Sequence, residues 1–274
     1  MRKSLIAALA LLPLAGFAQD RHCQHSQARD LKLDLAGAKA VVFDLGQHEL
    51  EVNAGTGPAA VTGRACASDA KYLSELSLSQ HRVGDKLVVV ARRNARDLFH
   101  FGNHYAYLRL QATVPADLMV QLNVGSGDAV ATGVAALSAD VGSGDVEARS
   151  VRGQVTVDLG SGDIDLDDIG SLHVVSVGSG DLKVRRVARD ASVDDLGSGD
   201  IEIDGVGGHV KVGQIGSGDF DLRRVTGNVE VDDINSGSFE ADGVRGNLRV
   251  REVGSGSVNH RSVSGTVSVP RNAD

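Results

Sequence analysis

The stretch GSGDIEIDGVGGHVKVGQI, residues 197–215, is one copy of a unit that fills the second half of the chain. Its glycine turn begins at Gly125 and recurs at Gly142, Gly160, Gly178, Gly197 and Gly216. It then returns as Asn235-Ser236-Gly237-Ser238 and Gly254-Ser255-Gly256-Ser257, at spacings of 17, 18, 18 and then 19 residues four times. A fixed period of this length marks a solenoid, in which each coil buries its apolar face only against its neighbours. Counting the first glycine as position one, apolar residues stand at positions 5, 7, 10, 14, 16 and 19, with a small residue at 12. Spacing of two predicts two short strands per coil, and the doubled polar residue before position 10 predicts a bend or bulge.

The columns are consistent. Position five holds Val146, Ile164, Leu182, Ile201, Phe220, Phe239 and Val258; position ten holds Val151, Ile169, Val187, Val206, Val225, Val244 and Val263. Stacked, they make a dry, mostly β-branched interior, whereas glycine every nine or ten residues excludes a helical stripe. The expected fold is therefore all-β: a single parallel β-solenoid of coils about 4.8 Å apart, winding in one sense, with eight turns spanning roughly 40 Å. The turn glycines are expected to supply tight corners with positive φ.

Position eight alternates in sign: Arg149, Asp167, Arg185, Asp204, Arg223, Asp242 and Arg261. Stacking would set opposite charges against each other. Exposed pairs contribute only about 0.2–1 kcal/mol each, so the column reads as register control that disfavours skipping a coil. It also implies a two-coil unit, since residues 178–215 and 216–253 agree at 18 of 38 positions.

Residues 1–18 have the parts of a secretory signal: Arg2 and Lys3, an apolar run from Leu5 to Leu12, Pro13, and small Gly16 and Ala18 before a cut near Gln19. The expected mature chain is soluble and exported, periplasmic or extracellular, without a transmembrane segment. Losing two of 28 basic residues and none of the 36 acidic ones changes the net charge from −8 to 26 − 36 = −10. That balance argues against a nucleic-acid partner. An oxidising compartment makes a disulfide between Cys23 and Cys66 the leading expectation. Residues 19–115 are read as irregular β-rich coils and a cap, with strands at Val41–Leu45, Glu49–Asn53, Ala60–Arg64, Lys86–Arg92 and Tyr105–Val114; residues 116–274 are the regular solenoid, continuous with them. A cap is needed because a bare solenoid end is an open sheet edge. His260 in the interior column and Pro270 mark the last coil.

The signal-like start, the VPADLMVQLNVGSGD lead-in at Val114–Asp128 and the repeated GSGD units resemble the bacterial "putative adhesin" family of unknown function, which sits beside GIN-type adhesin heads and toastrack-like envelope proteins. The resemblance covers about residues 35–269. It implies an extracytoplasmic β-solenoid, adhesin-like by inference, with some relatives linked to envelope-stress systems, and it brings no catalytic residues. The partner it implies is an envelope or surface protein or a polysaccharide.

Three candidate sites follow. The turn aspartates Asp128, Asp145, Asp163, Asp181, Asp200 and Asp219 form a column. Calcium-binding nonapeptide repeats place GGxGxD in both halves of the coil, whereas here one turn per coil reads GSGD, so each Asp is expected to accept backbone N–H bonds within its own turn. No metal or cofactor is assigned. The acidic pairs Asp167-Asp168, Asp194-Asp195 and Asp232-Asp233 match polysaccharide-cleaving carboxylates only in composition: they recur with the repeat, which a catalytic pair has no reason to do. A non-enzymatic protein is expected. The third candidate is Arg92–Tyr107, where Arg92, Arg93, Arg96, Phe99, Phe101, Tyr105 and Tyr107 gather arginines and four aromatics in a chain poor in both aromatics and Trp. Such a cluster suits an interface, or a hairpin packed over the solenoid mouth; His100 and His104 lack nearby metal-ligand partners.

Overall fold

The computed structural model describes residues 23–94 and 104–270. Its regular part begins with β9 (Met119–Val124), β10 (Asp128–Thr132) and β11 (Ala136–Val141), which follow a cap region of β1 (His25–Ala28), β2 (Leu31–Lys32), β3 (Ala40–Gly46), β4 (Glu49–Ala54), β5 (Ala60–Ala67), β6 (Leu76–Val83), β7 (Lys86–Arg93) and β8 (Ala106–Val114). From β10 onward every coil pairs in parallel with the next. Val146 lies opposite Ile164, Ile164 opposite Leu182, Leu182 opposite Ile201, Ile201 opposite Phe220 and Phe220 opposite Phe239. These side chains are buried, as is the position-ten column from Val151 to Val244. Phe220 and Phe239 stack with ring centroids 5.7 Å apart, a separation suited to tilted aromatic pairs. The alternation read from the repeat thus places its apolar set indoors, one rung above another.

The expected bend lies at position nine, in every coil. Ser150, Asp168, Arg186, Arg224 and Ser262 take φ of 56°, 58°, 58°, 55° and 53°, and Gly133, Gly205 and Gly243 take 74°, 89° and 74°. One left-handed residue before the position-ten valine turns that valine indoors after two outward residues. The turn glycines are a correction: none of them lies at positive φ. They are needed for close stacking instead. A Cβ on Gly144, Gly162 or Gly218 would sit 1.8 Å from the carbonyl oxygen of the equivalent glycine one coil below. That approach lets the turns bond to one another, as when Ser143 N–H donates to Gly125 O and Ser161 N–H to Gly142 O, both at 2.7 Å.

The second corner changes along the rod. In the 18-residue coils, β12 (Asp145–Leu159) and β13 (Asp163–Val177) run fifteen residues each straight through it. In the first 19-residue coil the strand divides into β14 (Asp181–Val187) and β15 (Ala191–Leu196), and later coils repeat that division. Between aligned partners Ile169–Leu172 and Val187–Ala191, the upper coil carries one more residue.

The N-terminal part departs from simple winding. β3 pairs in parallel with both β7 and β9, and β4 with both β8 and β10. The β3–β4 rung therefore lies between β9–β10 and β7–β8: the chain lays down an inner rung, builds the outermost one, and returns. The end is closed by antiparallel strands, β6 on β7, β5 on β8, and β1 and β2 on β5. A 3-10 helix, Ala70–Glu75, begins where the Asp69 carboxylate accepts Lys71 N–H at 3.0 Å and buries Tyr72. Antiparallel pairing there removes the free parallel edge that the cap was expected to cover. All five strands expected between 41 and 114 are present; β1, β2 and β6 are additional.

Buried apolar residues form one cluster from Leu33 to Val250. The Cys23–Cys66 disulfide is formed and ties the start of the described chain to β5. At the far end, Ser257–Arg261 and Val267–Ser268 make the last rung. His260 lies in the interior column opposite Ala241 yet is exposed, and among the described residues no strand pairs with it on its other side. No helix among the described residues is long and apolar enough to cross a membrane.

Candidate functional site

The Arg92–Tyr107 segment runs from the end of β7 to the start of β8, the two strands of the outermost rung. In the next rung the same connection is made by Gly46-Gln47-His48, onto which the Gly125 turn stacks through Gly125 N–H to Gly46 O at 2.8 Å. A short turn is thus replaced by a long connection. Its middle, including Arg96, Phe99, His100 and Phe101, lies outside the described residues; its two ends can be placed.

Those ends are engaged by the cap. Arg93 Nε lies 3.0 Å from Glu75 Oε2, both side chains mostly buried, and its guanidinium stands 5.8 Å from the Tyr72 ring centre. Arg92 reaches Asp44 at 3.3 Å in a more exposed pair. Tyr105 OH accepts Gln24 N–H at 3.1 Å, beside the disulfide, and its ring lies 6.1 Å from that of Tyr107. Arg109 stacks on Tyr107 at 5.8 Å, and burial, with Glu49 nearby, pushes the Tyr107 phenol above its usual range. Arg93, Tyr105 and Tyr107 therefore serve the cap, and Arg92 is the one placed member of the cluster that stands largely in solvent.

Beneath these ends is a residue that no motif in the sequence singles out. His48 is 1% exposed, and its Nδ1 accepts the Leu108 backbone N–H at 3.2 Å. Burial, aided by the Arg93 charge, pushes its pKa down to about 4. The imidazole is neutral and works as a rung-to-rung acceptor. Only its place beside the glycine turn, Gly46-Gln47-His48, could have flagged it.

The aspartate column stands in register, Asp128 opposite Asp145 and Asp163 opposite Asp181 opposite Asp200. Its bonds run between coils rather than within a turn: Asp145 Oδ1 accepts Asp163 N–H at 3.2 Å, and Asp200 Oδ1 accepts Asp219 N–H at 3.1 Å. The turn's own carbonyls and amides are already committed to neighbouring turns, so the carboxylate is left to serve the coil above. Among the described residues no three His, Cys, Asp or Glu side chains are grouped to hold a metal ion.

The alternating charges at position eight also stand opposite one another, from Arg149 over Asp167 and Arg185 to Asp204, Arg223, Asp242 and Arg261. The ion pairs are offset by one or two residues. Asp167 and Asp204 take the position-nine arginines of the coil above, Arg186 at 2.5 Å and Arg224 at 2.6 Å. Arg223 and Arg261 reach back to position six of the coil below, Glu202 at 3.0 Å and Glu240. Of the acidic pairs, Asp194 holds His173 Nε2 at 2.9 Å and Asp232 holds Arg251 at 3.1 Å.

A further column, missed because its residue types differ, runs along the second corner. Asp190 Oδ1 accepts His209 N–H at 2.7 Å, His209 Nδ1 accepts Asn228 N–H at 3.0 Å, Asn228 Oδ1 accepts Asn247 N–H at 2.9 Å, and Asn247 Oδ1 accepts Thr266 N–H at 2.8 Å. All occupy position thirteen. Their shared feature is a short side chain with an acceptor that reaches one rung up.

No family model matches the chain, and no curated protein does either. Among solved structures it is similar to a "putative lipid binding protein" from Parabacteroides distasonis, at 18% identity over 87% of this chain and 97% of that one, with a TM-score of 0.58. It also matches a "putative adhesin" from Bacteroides fragilis, at 12% identity over 90% and 98% with a TM-score of 0.41. Another "putative adhesin", from Parabacteroides distasonis, matches at 13% over 86% and 97%, with a TM-score of 0.42. The first likeness establishes the solenoid fold.

Proposed function

We propose that the protein is an exported, non-enzymatic β-solenoid of the bacterial cell envelope, acting as an adhesin-like interaction or structural rod. The observation that carries this reading is the outer face: a rigid, in-register stack repeats its charged residues from coil to coil, with carboxylates of successive coils tied to arginines. Weak contacts repeated at fixed spacing add up by multivalency. The disulfide supports export, because such bonds persist in oxidising compartments. Its partner is an envelope or surface protein or a polysaccharide, met by the polar faces and by the Arg92–Tyr107 segment.

Protease shaving of intact cells, compared with cells whose outer membrane has been opened, tests export. The protein is expected to be cleaved in at least one of the two, with Cys23 and Cys66 resistant to alkylation until reduced. Protection in both, with free thiols in the cytosolic fraction, overturns the reading. Cleavage on intact cells selects adhesion; cleavage only after opening selects a periplasmic scaffold or envelope-stress partner.

A further inference from the structure

The rod carries a groove that its repeat does not predict. It lies where the 18-residue coils meet the 19-residue coils, has a volume of about 510 Å³, and is floored by Leu172 and Ala191 between two polar walls. One wall is the outward column His173, Ser192 and Lys211, opposite one another on successive rungs. The other is the second corner, where the extra residue of the upper coil pushes out Arg189 and Asp190. Gly170 is hemmed in on both sides here: a Cβ there would meet the backbone oxygens of Arg152 and Gly153 at 2.2 and 2.4 Å and Arg189 Nη2 at 2.6 Å. The backbone of the coil below and the Arg189 guanidinium together fill the space a side chain would take.

Arg189 makes no ion pair among the described residues, and Lys211 has only a distant one, to Asp232 at 3.9 Å. Against them stands Asp190, whose Oδ1 is held by His209 N–H at 2.7 Å. The lining is therefore net positive by one charge on a chain of net charge −8. The walls are also pre-ordered. His173 is held by Asp194 at 2.9 Å, and His209, whose Nδ1 accepts Asn228 N–H, keeps its ring proton on Nε2. Gln154, Ser171 and Ser192 add neutral donors and acceptors.

We propose that this groove binds an acidic saccharide, a sugar unit bearing a carboxylate, within a glycan chain lying across the coils. Arg189, whose guanidinium lies one coil down at Gly170, receives the carboxylate, while Lys211, drawn one coil up toward Asp232, and Asp190, Ser171, Ser192 and Gln154 take hydroxyl groups. Mixed donors and acceptors over a shallow apolar floor suit a polyhydroxylated ring, and fixed polar groups set its orientation. Arginine matches a carboxylate with two parallel N–H bonds. This deepens the reading of an envelope rod and rests on it for biological sense, yet its test is made on purified protein and is independent of where the protein resides.

The experiment is a titration of isotope-labelled protein, followed by backbone amide shifts, with three probes: trigalacturonate, the neutral galactotriose, and inorganic phosphate. Trigalacturonate is expected to saturate with a Kd near or below about 1 mM, moving amides of Ser171–His173, Arg189–Ser192 and His209–Lys211. The neutral trimer and phosphate should each bind at least about tenfold more weakly. Arg189→Gln should weaken trigalacturonate at least about tenfold, Lys211→Gln severalfold, and Arg245→Gln, farther along the same corner, not at all. Circular dichroism and melting confirm each fold; should Arg189→Gln fail to fold, Lys211→Gln carries the test. The proposal is overturned by no shift up to about 10 mM, by equal affinity for the neutral trimer, by phosphate binding as tightly as the uronate, or by unchanged binding in the folded variants.

Discussion

Acidification should loosen the cap end of the rod through one residue, His48. Its pKa lies near 4, against 6.5 for the free side chain, because the charged ring would have to be buried beside Arg93 and would set an N–H against the Leu108 N–H it now accepts. A depressed folded pKa means that the unfolded chain takes up the proton first. The stabilisation is fully present above pH 6.5, is lost as pH falls toward 4, and changes no further below that. A displacement of about 2.5 units at 1.36 kcal/mol per unit makes the whole loss about 3.4 kcal/mol, of which about 2.5 kcal/mol falls between pH 7.5 and pH 4.5. Urea denaturation at half-unit steps across that range, on wild type and on His48→Asn, isolates the effect. Asparagine keeps an acceptor for Leu108 N–H but does not titrate, and the carboxylates are common to both proteins. The wild-type curve should fall more steeply than the variant's by that 2.5 kcal/mol, roughly. Parallel curves would refute the assignment, since they would mean that the imidazole is as readily protonated in the fold as in the unfolded chain.

Reduction of Cys23–Cys66, or Cys66→Ser, opens a 43-residue loop and should lower stability by about 4 kcal/mol on a chain-entropy estimate, read as a lower urea midpoint. Gly162→Ala places a Cβ 1.8 Å from Gly144 O in a stack with no slack, and should cost about 3 kcal/mol. Gly243→Ala, which has the left-handed φ of 74° but no atom closer than 3.6 Å, should cost only about 1–2 kcal/mol; the reverse order in thermal melts would undo the account of the turn glycines. Ser150→Gly relieves a φ of 56° and should stabilise by about 0.5–1 kcal/mol, net of the greater unfolded-chain entropy of glycine.

Periodicity makes the solenoid legible because the buried columns depend on residue class alone. Ile164, Leu182, Ile201 and Phe220 need only be apolar and evenly spaced to stack. Position nine is visible only as part of a doubled polar pair, for Ser150, Asp168, Arg186 and Gly205 share a backbone angle and no side-chain chemistry. The turn glycines stand out for the wrong property: sequence marks where a Cβ is absent but not whether φ or a neighbouring carbonyl forbids it. Rung order at the cap is beyond reach, since β3 pairs with β7 and β9 through contacts that no period records. β6, LSLSQHRV, is mostly exposed and carries too weak an alternation to be read as a strand.

The candidate sites divide along the same line. Repeated features are plain in the sequence and hold the stack together: the aspartates and the charged column are engaged by the coil above or below. What the repeat cannot explain is the place where it changes. The step from 18 to 19 residues at Arg189 is visible as an irregular count, yet nothing in the count says that the added residue sits over Gly170 and opens a groove. In a fold built from equal rungs, a binding site for one unit of a chain must break the equality. The junction between Gly170 and Ala191 does so by a single residue, altering one local corner and leaving the interior columns undisturbed on either side.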